Sequence, residues 1–280
     1  MALKAVPPLS SFVSGKVFGA YYGSRPPRIV CLHGWGRDHH DFDVLLGGSV
    51  FDGPLDGLAI DLPGFGKSPP PPFPWDSSGY AAAVAEVIEE AVVGDTTERG
   101  ELGPLSASDA VVRGGEAVVV LGHSFGGRVA LALASSRPDL VRALILVGVP
   151  LVRIGKRPKV PLAYRIAKTI HRLGVLSPEV MERMRRRHGS ADYRASQGIM
   201  RDVLVRTVNE SYEQELQRLE HPVTLIWGSE DSVVPLPVAE RASRLIRQSR
   251  LEVVEGADHY DILEAPGTRE LVERLLEEAG

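Results

Sequence analysis

The sequence lacks the features that mark several classes of protein. It contains one cysteine, Cys31, which excludes internal disulfides and a cysteine-built metal site and is typical of a reducing compartment. No apolar run approaches the roughly 20 residues that span a bilayer, and residues 1–15 include no apolar core of a signal peptide. The net charge of −4 gives no basic surplus for nucleic acid. We therefore expect a soluble, cytoplasmic protein that binds no nucleic acid and does not contact membranes.

Short apolar runs alternate with helix-forming segments along the 280 residues. The runs predicted as buried strands are 28–32, 57–60, 118–121, 143–147, 223–227 and 251–254, and residues 12–22 predict a hairpin that turns at Gly15. Helices are predicted over 38–46, 77–93, 128–134, 237–246 and 268–278, with Ser77 or Ser78 capping the second. Strands that are apolar throughout and alternate with helices predict an α/β fold, with a mostly parallel central sheet flanked by helices.

Two segments interrupt this alternation. Residues 94–115 are dominated by Gly, Ser, Thr and charged residues, which predicts a flexible insertion within the core, either a lid or partner-binding loop or a mobile surface loop. Residues 151–219 are rich in helix formers and contain no clear strand. We predict that they form a helical cap over the strand ends, with helices at 164–173, 178–187, 192–207 and 210–219. The core then consists of residues 1–150 and 220–280.

One stretch has the context of a serine nucleophile. The predicted strand 118–121 runs directly into Gly122–Gly127, Gly-His-Ser-Phe-Gly-Gly, and a small-residue helix follows. Strand, abrupt turn and helix form the nucleophile elbow, in which flanking glycines let neighbouring backbone pass without Cβ clashes. We therefore predict that Ser124 is a nucleophile.

Two further polar residues follow strands of the same sheet. Asp231 comes after the strand 223–227, and His259 comes after the strand 251–254. An imidazole there can take the serine proton, and a carboxylate can orient that imidazole. A single loop Asp is often only a turn former, and a single loop His is usually solvated. Together with Ser124, however, these residues follow the chain order Ser, Asp, His that this architecture uses for a catalytic triad.

The loop after the first buried strand, His33-Gly34-Trp35-Gly36, offers a second element of acyl-transfer chemistry. Backbone N–H groups can stabilise the oxyanion that forms in that reaction. The candidates are the N–H of Trp35, in this glycine-loosened loop, and the N–H of Phe125, just after the nucleophile. We expect the Trp35 side chain to wall the pocket and His33 to brace the loop by hydrogen bonds.

These motifs resemble those of a known family. The stretches concerned are His33–Gly36, Asp61–Ser68 (Asp-Leu-Pro-Gly-Phe-Gly-Lys-Ser), Gly122–Gly127, Gly228-x-x-Asp231-x-x-x-Pro235 and Gly256-x-x-His259. Together they are similar to the serial motifs of the α/β-hydrolase superfamily, from residue 29 onwards except for 94–115 and the predicted cap. The resemblance implies the α/β-hydrolase fold, triad roles for Ser124, Asp231 and His259, and an oxyanion hole at the Trp35 and Phe125 amides.

Within the superfamily, the Trp after His-Gly and the helical cap make the chain most similar to small carboxylesterases (EC 3.1.1). A serine at position 124 disfavours relatives with an Asp nucleophile, such as epoxide hydrolases and haloalkane dehalogenases. Carbon–carbon hydrolases often carry Asn just before the serine, where this chain has His123. We therefore predict a serine hydrolase that cleaves a small-molecule carboxylic ester through an acyl-enzyme, with no cofactor and no metal. The alternatives are a carbon–carbon or other acyl hydrolase with the same triad, and a ligand receptor or interaction protein with a vestigial one.

The charge of the predicted cap differs from that of the core. Residues 151–219 contain 15 Lys and Arg against 7 Asp and Glu, a net charge of +8, so the remainder of the chain carries −12. A basic cap can attract an anionic substrate or lie on an anionic membrane surface. It is also consistent with a solvated face whose arginine stems cover apolar surface.

Overall fold

The computed structural model describes residues 7–48, 53–98, 117–155, 177, 179–183 and 190–279. Within these residues, eight strands form one sheet. The strands are β1 (Leu9–Phe12), β2 (Val17–Tyr22), β3 (Ile29–Leu32), β4 (Gly57–Asp61), β5 (Val118–His123), β6 (Val141–Val147), β7 (Val223–Gly228) and β8 (Ser249–Val254). Their order is β1-β2-β4-β3-β5-β6-β7-β8, with β1 and β2 antiparallel to their neighbours and β3 to β8 parallel. The predicted hairpin and the mostly parallel sheet are both confirmed.

Helices cover both faces of the sheet. They are α1 (Asp43–Gly47), α2 (Ser77–Glu98), α3 (Phe125–Ser136), α4 (Ala191–Ala195), α5 (Gly198–Thr207), α6 (Glu213–Arg218), α7 (Pro237–Leu245) and α8 (Thr268–Ala279). None of the helices in the described ranges has both the length and the apolar character needed to cross a membrane. Successive side chains of a strand point to opposite faces. Val30 and Leu32 of β3 accordingly belong to the core with α2 and α3, whereas Ile29 and Cys31 belong to the core with α1 and α8.

The parallel strands place a set of loops at one edge of the sheet, because their carboxyl ends all lie there. The loops after β3, β4, β5, β7 and β8 carry the sequence motifs described above. Arg128 of α3 connects this edge to the last residue of α5 and to Pro150, the residue before the segment 151–219. Its guanidinium donates to the Thr207 carbonyl at 2.6 Å and reaches the Pro150 carbonyl at 3.4 Å.

The prediction of a single helix over 192–207 is wrong. The structure has two helices, α4 and α5, separated by Ser196 and Gln197, which are both extended. Gly198 follows with φ of +51°, a left-handed conformation that interrupts a continuous helix and that glycine adopts without strain.

The predicted cap of α2 by Ser77 or Ser78 is also wrong. The Asp76 carboxylate accepts a hydrogen bond from the Gly79 N–H at 3.0 Å, so Asp76 caps the helix. The Ser77 N–H and hydroxyl instead donate to the carboxylate of Glu210, at 2.9 and 2.6 Å. The carboxylate of Glu210 thus binds the start of α2 instead of opening a helix of its own. The helix predicted from residue 210 begins only at Glu213.

Other helix boundaries differ in smaller ways. The helix predicted over 38–46 is a 3-10 turn, His39–Phe42, followed by α1. α2 continues to Glu98, so the predicted insertion begins as helix, and residues 99–115 lie outside the described residues. The helix predicted at 164–173 lies outside them too, whereas 179–183 of the helix predicted at 178–187 are helical. The division into core and cap stays a prediction.

Candidate active site

Ser124 lies at the sharp turn between β5 and α3. Its φ of +48° and ψ of −107° place a non-glycine residue in a strained conformation, and its N–H donates to the Val147 carbonyl at 2.9 Å. The turn brings the backbone at the start of α3 close to the end of β3. A Cβ on Gly126 would lie 2.1 Å from the Leu32 carbonyl oxygen, so only glycine lets α3 approach β3 this closely. The Ser124 hydroxyl is thereby held at the carboxyl edge of the sheet.

The structure brings Ser124, His259 and Asp231 together. His259 Nε2 lies 3.2 Å from Ser124 Oγ, and His259 Nδ1 lies 2.8 Å from Asp231 Oδ2. The side chain of His259 is 6% exposed and that of Asp231 is 0% exposed. Because a carboxylate accepts hydrogen bonds, Nδ1 carries the proton and Nε2 is left to accept from the serine hydroxyl. The three groups therefore form one hydrogen-bonded chain.

Backbone groups fix the Asp231 carboxylate. Its Oδ1 accepts hydrogen bonds from the N–H groups of Val233 at 2.9 Å and Val234 at 2.7 Å, which leaves Oδ2 facing His259. Gly148, just after β6, has φ of +56°, and a Cβ there would lie 3.1 Å from His259 Nδ1 and 3.3 Å from Asp231 Oδ2. The His–Asp pair thus packs directly against this glycine.

The two residues predicted to supply the oxyanion donors are Phe125, which directly follows Ser124, and Trp35, whose preceding residue is close to the serine. A Cβ on Gly34, the residue before Trp35, would be 3.6 Å from the Ser124 Cβ. The Gly126 N–H donates to the His33 carbonyl at 3.1 Å, which ties the loop to the start of α3. Among the described residues, neither the Trp35 N–H nor the Phe125 N–H has an acceptor. Both groups are therefore available for an oxygen bound near Ser124.

His33 braces this loop, as the sequence predicts. Its Nδ1 donates to the Gly34 carbonyl at 2.7 Å, and its Nε2 accepts from the Leu62 N–H at 3.0 Å. Complete burial lowers the pKa of His33, so the imidazole is neutral and can make both bonds. The loops after β3 and β4 are joined through this one side chain.

A second buried His–Asp pair was not predicted from the sequence. Asp61 Oδ1 accepts from both the N–H and the Nδ1 of His39, at 2.8 and 2.7 Å, and its Oδ2 accepts from the Lys67 N–H at 2.8 Å. The hydrogen bond to Asp61 raises the pKa of His39. Asp61 belongs to one of the family motifs, but nothing in the sequence pairs it with His39. This pair fixes the segment that follows Trp35.

Aromatic side chains form one wall beside the serine. The Trp35 ring contacts Phe65 and Phe125 edge to face, with centroids 5.0 and 5.3 Å apart. Met200 of α5 packs on the backbone of Gly64, where a Cβ would come within 2.3 Å of the Met200 Sδ. The segment 151–219 therefore reaches the loop that carries Phe65.

Comparisons with known proteins agree with this architecture. The model of the alpha/beta hydrolase family matches residues 29–269. A pimeloyl-[acyl-carrier protein] methyl ester esterase from Neisseria meningitidis is 26% identical over 275 residues, which cover 90% of this chain and 78% of that protein.

Two solved structures share the fold at lower identity. One is a membrane phospholipase A described as a bacterial virulence factor. It has a TM-score of 0.64 and 21% identity, and the match covers 97% of this chain and 86% of the phospholipase chain. The other is a meta-cleavage product hydrolase from Pseudomonas fluorescens. It has a TM-score of 0.63 and 16% identity, and the match covers 98% of this chain and 99% of the hydrolase chain. At these identities the likeness concerns the fold alone.

Proposed function

This chain belongs to the alpha/beta hydrolase family, and from that premise we propose that it is a serine hydrolase that cleaves a carboxylic ester through an acyl-enzyme intermediate. The observation that supports the proposal most is the chain of hydrogen bonds from the Ser124 hydroxyl through His259 to Asp231, at 3.2 and 2.8 Å. This is the relay that a serine needs in order to lose its proton as it attacks a carbonyl carbon.

In the first half of the proposed reaction, Ser124 Oγ forms a bond to the ester carbonyl carbon while His259 Nε2 takes the hydroxyl proton. The buried Asp231 carboxylate stabilises the resulting imidazolium. The carbonyl oxygen becomes an oxyanion, which the N–H groups of Trp35 and Phe125 stabilise by about 3 kcal/mol per donor.

The intermediate then collapses. The bond from carbon to the alcohol oxygen breaks, and the protonated His259 gives its proton to the departing alcohol, which leaves an acyl group on Ser124. A water molecule attacks this acyl group while His259 again acts as the base, and the carboxylic acid is released with Ser124 regenerated. Each step uses only groups of this chain and water.

The relative from Neisseria meningitidis supports an ester as the bond that is cleaved, because its name specifies a methyl ester. The net charge of +8 over residues 151–219 further supports a small-molecule ester that carries a negative charge. A panel of esters that differ in acyl length and in terminal charge therefore measures the specificity directly. Negligible turnover of every ester in the panel would overturn the proposed ester hydrolysis.

The nucleophile is tested with Ser124→Ala on short p-nitrophenyl esters. We expect kcat to fall by about a millionfold, or to the limit of detection, because the acyl-enzyme cannot form. Ser136→Ala, at the exposed end of the same helix α3, is the matched control and should keep full activity. Hydrolysis by Ser124→Ala at the wild-type rate would contradict the proposal.

A further inference from the structure

The imidazole of His123 has no part in the proposed reaction, yet it lies where three segments of the site meet. His123 is the last residue of β5 and is 4% exposed. Its Nε2 lies 2.9 Å from the backbone carbonyl oxygen of His259. Its Nδ1 faces the loop before Trp35, since a Cβ on Gly34 would lie 3.1 Å from it. The His123 side chain thus contacts the loop after β8, which carries His259, and the loop His33–Gly36, here called the oxyanion loop. The backbone of His123 leads directly into Ser124.

The protonation state of His123 follows from its surroundings. Burial, and then the nearby His259, lower the pKa of His123 to about 3, so its ring is neutral at neutral pH. A carbonyl oxygen only accepts hydrogen bonds, so the proton is on Nε2, which donates to the His259 carbonyl. Nδ1 is then an unprotonated nitrogen, and it has no hydrogen-bond partner in the described part of the chain.

We infer that His123 is a positioning residue, which holds the backbone of His259 through its Nε2–H while its ring packs on Gly34 of the oxyanion loop. The inference rests on the proposed function, since it assigns His259 the role of base. His259 lies in an irregular loop after β8, whereas His123 is anchored by the ladder of a central strand. The bond between them therefore transfers the rigidity of the sheet to the loop.

We expect catalysis to be sensitive to the hydrogen bond between His123 and the His259 carbonyl, because the distance between Ser124 Oγ and His259 Nε2 cannot increase much before their hydrogen bond is lost. At 3.2 Å it is already at the long end of a hydrogen bond between a nitrogen and a hydroxyl. A displacement of about 1 Å in such an arrangement costs about 100-fold in rate. The bond acts through His259, which takes the serine proton only in the transition state, so the loss should fall on kcat rather than on KM.

Three substitutions isolate the bond. A glutamine side chain carries its amide nitrogen at the same number of bonds from Cβ as the Nε2 of histidine, so His123→Gln can still donate to the His259 carbonyl. The asparagine nitrogen corresponds to Nδ1 instead, so His123→Asn cannot, and His123→Phe keeps a ring with no donor. We expect Asn and Phe to lower kcat about 10- to 100-fold with KM within about threefold, and Gln to stay within about threefold of wild type.

The measurement is kcat and KM on a p-nitrophenyl ester, with melting temperatures to compare folding. His221→Gln is the matched control, because His221 Nε2 also contacts a carbonyl oxygen, that of Pro138 at 3.2 Å, but before the amino end of β7. Wild-type kcat in both Asn and Phe variants would overturn the inference, as would a Gln variant as impaired as the Asn variant. Should the Phe variant fail to fold, the Gln and Asn pair decides. Activity retained by Ser124→Ala would instead refute the proposed function.

Discussion

Replacement of Asp231 by asparagine exchanges one carboxylate oxygen for an NH2 group and should nearly abolish activity. Asp231 Oδ1 accepts two backbone N–H groups, those of Val233 and Val234. An asparagine must keep its carbonyl oxygen in that place, so its NH2 group faces His259 Nδ1 at the 2.8 Å contact. Since NH2 only donates, Nδ1 must become the acceptor, and the ring proton moves to Nε2. Nε2 then faces Ser124 with a proton already bound and cannot act as a base.

The size of the effect follows from the loss of both the correct tautomer and the buried charge. A triad with the wrong histidine tautomer loses about 10⁴-fold in kcat, which corresponds to about 5 kcal/mol of transition-state stabilisation. The fold should persist, because the two backbone hydrogen bonds to residue 231 remain. We therefore expect Asp231→Asn to melt cooperatively and to have kcat on a p-nitrophenyl ester about 10⁴-fold below wild type.

Glu230→Gln is the matched control, since Glu230 is the adjacent carboxylate on the same loop and is exposed. It should keep wild-type kcat, whereas the effect of Asp231→Asn should be the same on every ester that the protein hydrolyses. A folded Asp231→Asn protein with kcat within about tenfold of wild type would refute the argument from the tautomer.

Two further predictions concern stability. Gly126→Ala would place a Cβ 2.1 Å from the Leu32 carbonyl oxygen, and we expect it to lower the free energy of unfolding in urea by about 3 kcal/mol or more; an unchanged midpoint would contradict the close approach of α3 to β3. The hydrogen bond to Asp61 raises the pKa of His39 above 6.5, so the protonated imidazole stabilises the fold below that pH, and this stabilisation is lost as pH rises through the folded pKa. His39→Gln should therefore cost more unfolding free energy at about pH 5.5 than at about pH 9, and equal costs would refute the ion pair.

Much of the fold could be predicted from the sequence because its signals are local. The apolar strands and the helices between them are short periodic segments, and parallel strands necessarily end at one edge. The sequence therefore predicts that the loops carrying Ser124, Asp231 and His259 lie at the same edge, and the structure brings these three side chains into contact. The role of the Trp35 and Phe125 amides as oxyanion donors stays a prediction.

Most of the features that the sequence did not predict depend on tertiary contacts. The partnership of His39 with Asp61 joins residues on two different loops, and the bond from His123 to the His259 carbonyl joins residues 136 positions apart. The start of α6 was misplaced because Glu210 binds the amino terminus of α2, which lies 133 positions earlier. Local propensity carries no information about such partners. Two features that the prediction missed do have a local signal: the turn at Gly198, a glycine within a helical pattern, and the cap of α2 by Asp76, an Asp directly before the helix.

The central claim is that Ser124 is a nucleophile activated by its neighbours, and covalent trapping tests it most directly. The protein is treated with a fluorophosphonate, and the modified residue is located by mass spectrometry of its peptides. We predict one adduct on Ser124 in the wild type, none in Ser124→Ala, and slow labelling in Asp231→Asn. A wild-type protein that stays unlabelled at Ser124, or a Ser124→Ala protein labelled as fast as wild type, would contradict the account.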